Sequence, residues 1–159
     1  HARVAQHERG GLDALLDAGS DAYKTAATLG SPYVTTSCAP QVAKDWAGTM
    51  DKIVRAGAVA ASRGLTFTYH NHAQEFAPIE GKYALDALYE RAPAATVQAE
   101  LDTYWIQKGG VEPLAYLKKY AGRVPQVHLK DMAADDGSFA EVGEGILNMA
   151  GICAEAIAP

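Results

Sequence analysis

An α/β chain with a parallel sheet, wound as part of a (β/α)8 barrel, is what three observations predict. Strand-like segments begin near Pro32, Leu65, Thr96 and Pro125, at spacings of 33, 31 and 29 residues. Such spacings are close to one eighth of the roughly 250 residues of a barrel of this kind. A helical pattern fills each gap, and strands that alternate with helices pair in parallel. Three of the segments, TFTYHNH (66–72), TVQAELD (96–102) and PQVHLKD (125–131), end in polar, metal-capable side chains.

Taken in order, Leu12 to Leu29 reads as a helix with a weak point at Gly19-Ser20, closed by Gly30. A strand over 32–37 follows. From Gln41 to Arg63 the apolar positions Val42, Trp46, Met50, Ile53 and Val54 recur at helical steps, and Gly64 ends the helix. After the strand at 65–71, Leu85, Leu88 and Tyr89 mark a shorter helix that stops before Pro93. The strand at 96–101 leads to a helix with Pro113 in its first turn, then Leu114, Leu117 and Tyr120, with Gly122 beyond its end. The strand at 125–130 runs into two polar loops, AADDGS (133–138) and EVGEG (141–145), and a final helix begins at about Ile146. No linker or change of composition divides the chain. It reads as a single domain over 1–159, truncated at both ends, because four strands of this period do not close an eight-stranded barrel. Unpaired sheet edges invite association. The piece alone is therefore expected to be poorly soluble and inactive, with a longer parent as the working enzyme.

Side chains alternate across a strand, so each strand has two distinct faces. Thr66, Thr68, His70 and His72 share one side, as do Gln98, Glu100 and Asp102, and likewise Gln126, His128 and Lys130. The opposite sides carry Leu65, Phe67 and Tyr69; Val97, Ala99 and Leu101; Val127 and Leu129. One face packs under helices. The other converges on a shared interior, with its chemistry at the C-terminal strand ends where barrel enzymes place their sites.

The 159 residues carry a formal charge of −5 and 48% hydrophobic side chains, enough for one real core. The acidic balance argues against nucleic acid as the partner, since phosphate binding needs concentrated Lys and Arg. No apolar run approaches the roughly 20 residues of a membrane helix. Cys38 and Cys153 form no recognisable metal or disulfide spacing and read as free thiols. A cytoplasmic location is expected. The start at His1, without an initiator Met, leaves the N-terminus silent on signal peptides.

Asp102 and His128 are the firmest pair, an oxygen and an imidazole ligand suited to one divalent ion, Mn²⁺, Co²⁺, Mg²⁺ or Zn²⁺. Without metal they would form a buried Asp–His hydrogen bond. Of His70 and His72, which share a face, either can ligate while the other transfers a proton. Glu75 lies on the loop beyond, within reach of a sugar hydroxyl. Glu100, one inward step below Asp102, must be paired if buried. Lys130 is suited either to neutralise an oxyanion or phosphate or to pair with Glu100. Trp105 offers a face for a sugar ring. Gly143-Glu144-Gly145 is a weak phosphate-loop signal better read as a turn, and Glu141 beside it is a candidate substrate contact.

YHNHAQEF, ELDTYW with the following GG and P, GRVPQVHLKD and EVGEG, in that order, resemble the sugar phosphate isomerase/epimerase family of the xylose-isomerase-like TIM barrels. The resemblance covers nearly the whole chain. It implies that His1 lies at the end of the third barrel strand, that the four strands read above are the fourth to seventh, and that the eighth lies beyond. It further implies a metal held by a Glu, an Asp, a His and a second Glu at successive strand ends. Asp102 and His128 match the middle two. His70 stands at the first Glu position, and the second Glu falls in the eighth strand. With a histidine where epimerases use a proton-transferring Glu, the YHNH motif looks more like the inosose dehydratase branch.

Residues and resemblance agree on proton abstraction beside a carbonyl of a polyhydroxylated substrate. A metal would bridge its oxygens and stabilise an enediolate. The expected function is a metal-dependent sugar or sugar phosphate isomerase/epimerase, with His72, Lys130 and Glu75 catalytic, Trp105, Glu100 and Glu141 on the substrate, and His70, Asp102 and His128 on the metal. A lyase acting on a keto-sugar or keto-inositol shares the first step. A non-catalytic sugar-binding barrel is the reading from another class. A nuclease of this fold would carry a further histidine where Trp105 stands. The expected partner is a small sugar, with no nucleic acid or membrane and with a homo-oligomer allowed.

Overall fold

The structure, a computed structural model, describes residues 5–7, 11–38 and 44–157. Its main sheet is built from β1 (Ala5–His7), β2 (Tyr33–Thr36), β3 (Thr66–His70), β6 (Val97–Asp102) and β7 (Gln126–His128), in that spatial order. Every neighbouring pair is parallel. Two small antiparallel hairpins stand apart from it, β4 (Pro78–Ile79) with β5 (Lys82–Tyr83) and β8 (Asp131–Met132) with β9 (Phe139–Ala140). The four expected strands are all present. β1 is a fifth, a few residues after the His1 position at which the resemblance places a strand end.

Six α-helices are described: α1 (Asp21–Leu29), α2 (Trp46–Ser62), α3 (Ala84–Arg91), α4 (Thr103–Lys108), α5 (Pro113–Lys119) and α6 (Met149–Ala156). The single helix expected over Leu12 to Leu29 is broken. A 3₁₀ turn at Leu12–Leu16 precedes α1, and between them Asp17 accepts the Gly19 N–H at 2.8 Å. A side chain that binds its own neighbouring backbone in this way competes with the helical ladder. The helix expected from Gln41 is observed from Trp46, where the Asp45 carboxylate caps it by accepting from Gly48 N at 2.9 Å; Val42 and the rest of 41–43 lie outside the described residues. Likewise α6 begins at Met149 rather than Ile146, because Asn148 caps it through Gly151 N.

The outward strand face packs as the alternation implies. Val34, Phe67, Tyr69, Val97, Ala99 and Leu101 are buried against Ile53, Ala56 and Ala60 of α2, Leu85 and Leu88 of α3, and Ile106 of α4. Burial of each large apolar side chain stabilises the fold by about 1.5–3 kcal/mol. Gly57 lets α2 approach the sheet, since a Cβ there would sit 2.7 Å from the Thr96 carbonyl oxygen. Between α3 and α5 the Asp86 carboxylate accepts from Tyr116 (2.7 Å), Tyr120 (2.5 Å) and Lys119 (2.7 Å). Cys38 and Cys153 are both free thiols, and burial first, then the Glu75 carboxylate, pushes Cys38 up to about 12. Among the described residues no helix is long and apolar enough to cross a membrane.

Candidate metal centre

Parallel register sets the site. His70 lies directly opposite Glu100 across β3 and β6, and Asp102 lies directly opposite His128 across β6 and β7. The inward faces therefore meet at the C-terminal strand ends. Asp102 Oδ2 lies 3.6 Å from His70 Nε2, 3.3 Å from His128 Nδ1 and 3.1 Å from Lys130 Nζ. Ligand atoms of His70, Asp102 and His128 all fall within 4.8 Å of one another, the metal-capable cluster found among the described residues. Asp102 is 0% exposed and His70 6%, whereas the His128 side chain is 41% exposed at the rim.

The strand ends are held by side chains that sequence reading missed. Asn71 replaces a ladder rung, taking the Asp102 N–H on its Oδ1 at 3.0 Å while its Nδ2 lies 3.5 Å from the Asp102 carbonyl oxygen. Thr103 does the same for the next strand. Its hydroxyl donates to the Lys130 carbonyl at 2.6 Å and accepts from Lys130 N at 2.9 Å. Asp102 itself caps α4, its Oδ1 accepting from Trp105 N at 3.1 Å. The available signal was a small polar residue immediately after each strand, the type that bonds to nearby backbone.

The His72 ring lies beside the cluster, its centroid 5.2 Å from those of both His70 and Trp105. Burial first, then the His70 ring, lowers its pKa to about 4 against the pull of Asp102, so the ring is neutral near pH 7. Burial also lowers His128, with Lys130 and His70 adding to it and Asp102 opposing. Lys130 pairs with Asp102, not Glu100, and its ammonium lies 5.7 Å from the Trp105 ring centroid and 5.0 Å from that of Phe139. Trp105 meets Tyr104 and Phe139 edge to face, and Tyr104 lies tilted against Phe139, forming an aromatic wall beside it.

Three expected roles do not match their placement. Glu75 faces away from the cluster: it is fully buried, accepts from Tyr69 OH at 2.6 Å and His72 N at 3.0 Å, and caps the 3₁₀ turn Ala73–Phe76. Glu100 lies beneath the site, 4% exposed, with Oε1 2.9 Å from His70 Nδ1 and Oε2 accepting from Thr35 at 3.3 Å, so it meets protein groups where a substrate contact was expected. Glu141 is exposed on its loop and outside the converging group. The Gly143-Glu144-Gly145 amides are not free for phosphate either. The fully buried Asp131 carboxylate accepts from Gly143 N (3.0 Å), Gly145 N (3.1 Å), Leu147 N (3.1 Å) and Met132 N (2.8 Å). A Cβ on Gly145 would meet Asp131 Oδ1 at 2.3 Å, so the loop closes over an internal anion.

The donor set fits a divalent cation. Asp102 Oδ2 and His128 Nδ1 are buried atoms with no hydrogen-bond partner, and the 3.1 Å approach of Lys130 lies outside hydrogen-bonding geometry. A carboxylate oxygen facing two imidazole nitrogens at 3.3 and 3.6 Å presents electron pairs to one another, which is costly unless a proton or a cation lies between them. One carboxylate and two imidazoles are also a common hard-to-borderline ligand set.

A sequence profile described as xylose isomerase-like TIM barrel matches residues 7–156, and the chain belongs to that family. An inosose dehydratase from Clostridium beijerinckii is 27% identical over 122 residues, covering 66% of this chain and 40% of that protein. A sugar phosphate isomerase/epimerase from Parabacteroides distasonis aligns in structure at a TM-score of 0.64 with 24% identity, covering 84% of this chain and 51% of the other. A xylose isomerase domain protein from Planctomyces limnophilus aligns at 0.69 with 15% identity, covering 91% and 53%. These two structures show the fold. The chain spans about 40% of the length of the curated relative.

Proposed function

We propose that this member of the xylose isomerase-like TIM barrel family contributes the metal-binding half of an enzyme that removes a proton beside the carbonyl of a polyhydroxylated ketone. The observation that carries the reading is the buried Asp102 Oδ2, which has no hydrogen bond and faces two imidazole nitrogens. His70, Asp102 and His128 would hold a divalent ion. When bound, such an ion supplies Lewis acidity toward the oxygens of a hydroxyketone.

The remaining roles belong to side chains. His72, beside both His70 and Trp105, is the ring placed to accept a proton from the carbon next to the carbonyl. The electron pair left behind moves onto the carbonyl oxygen, where the Lys130 ammonium, 3.1 Å from Asp102 Oδ2, would offset the charge. The Trp105 and Phe139 rings, beside Lys130, form a wall for the apolar face of a cyclic substrate. Return of the proton at the neighbouring carbon gives an isomer. Return of the electron pair from the carbonyl oxygen, expelling a β-hydroxyl that takes the proton held on His72 and leaves as water, gives an unsaturated ketone. We place dehydration of a keto-cyclitol or keto-sugar first, because the curated relative is an inosose dehydratase and because His70 supplies no carboxylate for a second proton transfer. Isomerisation or epimerisation remains the second reading, sharing the first step.

The test follows the α-proton. The protein, loaded with Mn²⁺ or Co²⁺ in deuterium oxide, is mixed with inosose and a panel of ketoses and watched by proton NMR. Metal-dependent loss of the α-proton signal supports the common step, and appearance of an alkene signal selects dehydration. Metal binding without exchange on any substrate would favour a sugar-binding barrel.

A further inference from the structure

We propose that Glu100 is a positioning residue that fixes the tautomer of His70, holding its proton on Nδ1 so that the Nε2 lone pair faces Asp102 and His128. The consequence for metal binding rests on the metal-centre reading above; the geometry stands without it. His70 and Glu100 are directly opposed in the β3–β6 register, and Glu100 Oε1 lies 2.9 Å from His70 Nδ1. Their side chains are only 8% and 6% exposed, so bulk water does not compete for the contact.

Glu100 is in turn held from behind. Its Oε2 accepts from the Thr35 hydroxyl at 3.3 Å, Thr35 lies 2.6 Å from Thr68 Oγ1, and Thr68 donates to Gln126 Oε1 at 3.0 Å. This belt crosses β6, β2, β3 and β7 just beneath the metal-capable side chains, and Thr35, Thr68 and Glu100 are all buried. An ionised carboxylate only accepts, so a neutral His70 must place its single N–H on Nδ1. In water a neutral histidine carries its proton mainly on Nε2, which here would point a hydrogen at the cation position. The partner of one ring nitrogen decides which form is present, and such outer partners govern ligand orientation and basicity.

The direct readout is the tautomer of His70 in metal-free, ¹⁵N-labelled protein at pH 7.5, from long-range ¹H–¹⁵N correlations. Wild type is expected to show a protonated Nδ1 and a bare Nε2. Glu100→Ala should move the population toward the Nε2–H form. Glu100→Gln keeps an acceptor of the same shape and should retain the wild-type tautomer while losing the charge. Both variants should weaken Co²⁺ binding, measured by titration calorimetry, by about 10–100-fold, with Glu100→Gln the milder. A merely structural role would lower the melting temperature and leave the tautomer alone. A wild-type His70 protonated on Nε2 or on both nitrogens overturns the proposal, and needs no variant to fold. So does a tautomer unmoved in folded Glu100→Ala. If the tautomer shifts as expected but wild type binds no Co²⁺, Mn²⁺ or Zn²⁺, the metal reading fails while the role of Glu100 stands.

Discussion

Asp102 and Asp131 are both completely buried carboxylates, and they are satisfied in opposite ways. Asp131 accepts four backbone N–H groups and holds the 141–147 loop closed. Burial by itself would raise its pKa, yet those donors outweigh it and keep the carboxyl below its ordinary value. Asp102 has one N–H on Oδ1 and leaves Oδ2 without a hydrogen bond among ring nitrogens and an ammonium. A buried anion enclosed by fixed amides is part of the scaffold. One left with an open oxygen among metal-capable groups is a site waiting for a charge. Burial alone does not distinguish them; the accounting of donors does.

The largest expected effect breaks the comparison on the Asp102 side. Asp102→Asn should abolish measurable Co²⁺ or Mn²⁺ binding by calorimetry, while the metal-free protein loses at most about 1 kcal/mol, because Asn keeps an oxygen for Trp105 N and gives up only the ion pair with the part-exposed Lys130. A large loss of metal-free stability would show that Asp102 is scaffold after all. Asp131→Asn should do the reverse at the level of folding. At least two amides lose their acceptor charge, at a cost of about 2–4 kcal/mol read from urea unfolding.

Asp86 sharpens the distinction from the outer layer. Burial raises its pKa, but Lys119, Tyr120 and Tyr116 together bring it below the ordinary 3.8. Asp86→Asn should cost about 1–2 kcal/mol at neutral pH. The ionised forms of Asp86 and Asp131 stabilise the fold above the ordinary aspartate value, and that stabilisation is lost as pH falls through their lowered folded values. Acid unfolding of either Asn variant should therefore be less steep with pH than that of wild type.

The smallest effect has the opposite sign. Burial holds Glu75 above its ordinary 4.5 despite the opposing bonds from Tyr69 and His72. Its protonated form is favoured in the fold, so its contribution is greatest below pH 4.5 and declines as pH rises through the raised value. Glu75→Gln should differ from wild type by less than about 1 kcal/mol at pH 4 and gain on it toward neutrality, in paired melting curves. A gain toward acid instead would mean the Glu75 contacts favour its ionised form.

Much of this was written in local pattern. Period-two alternation put Phe67, Tyr69, Val97 and Leu101 in the core and His70, Asp102 and His128 on the interior face, and about thirty residues per repeat gave the parallel order. A carboxylate three residues past His72, as Glu75 is, looks available for substrate in the sequence. Its distance from Tyr69 OH, on the opposite face of β3, is invisible without the fold. A buried Glu100 needs a partner, but no local pattern decides between Lys130 and a histidine. By strand alternation Asn71 points away from the centre unless the strand has already ended, and it has, at His70; Thr103, one residue past its strand, carries no local signal of its role.

Sequence by itself determined which residue types gather at three strand ends, because side-chain direction along a strand is fixed by backbone geometry. It also determined the helix stops, as at Gly64, where a φ of +72° lets Leu65 N bond back to Ala60 O. Only the tertiary structure decided which carboxylates are enclosed and which are open. That depends on cross-strand register and on loops folding back over many residues: His70 meets Glu100, Lys130 reaches Asp102, and the 141–147 loop gives its amides to Asp131 and none to Asp102. Hydrogen-bond satisfaction is a property of three-dimensional neighbours, and no local period encodes it.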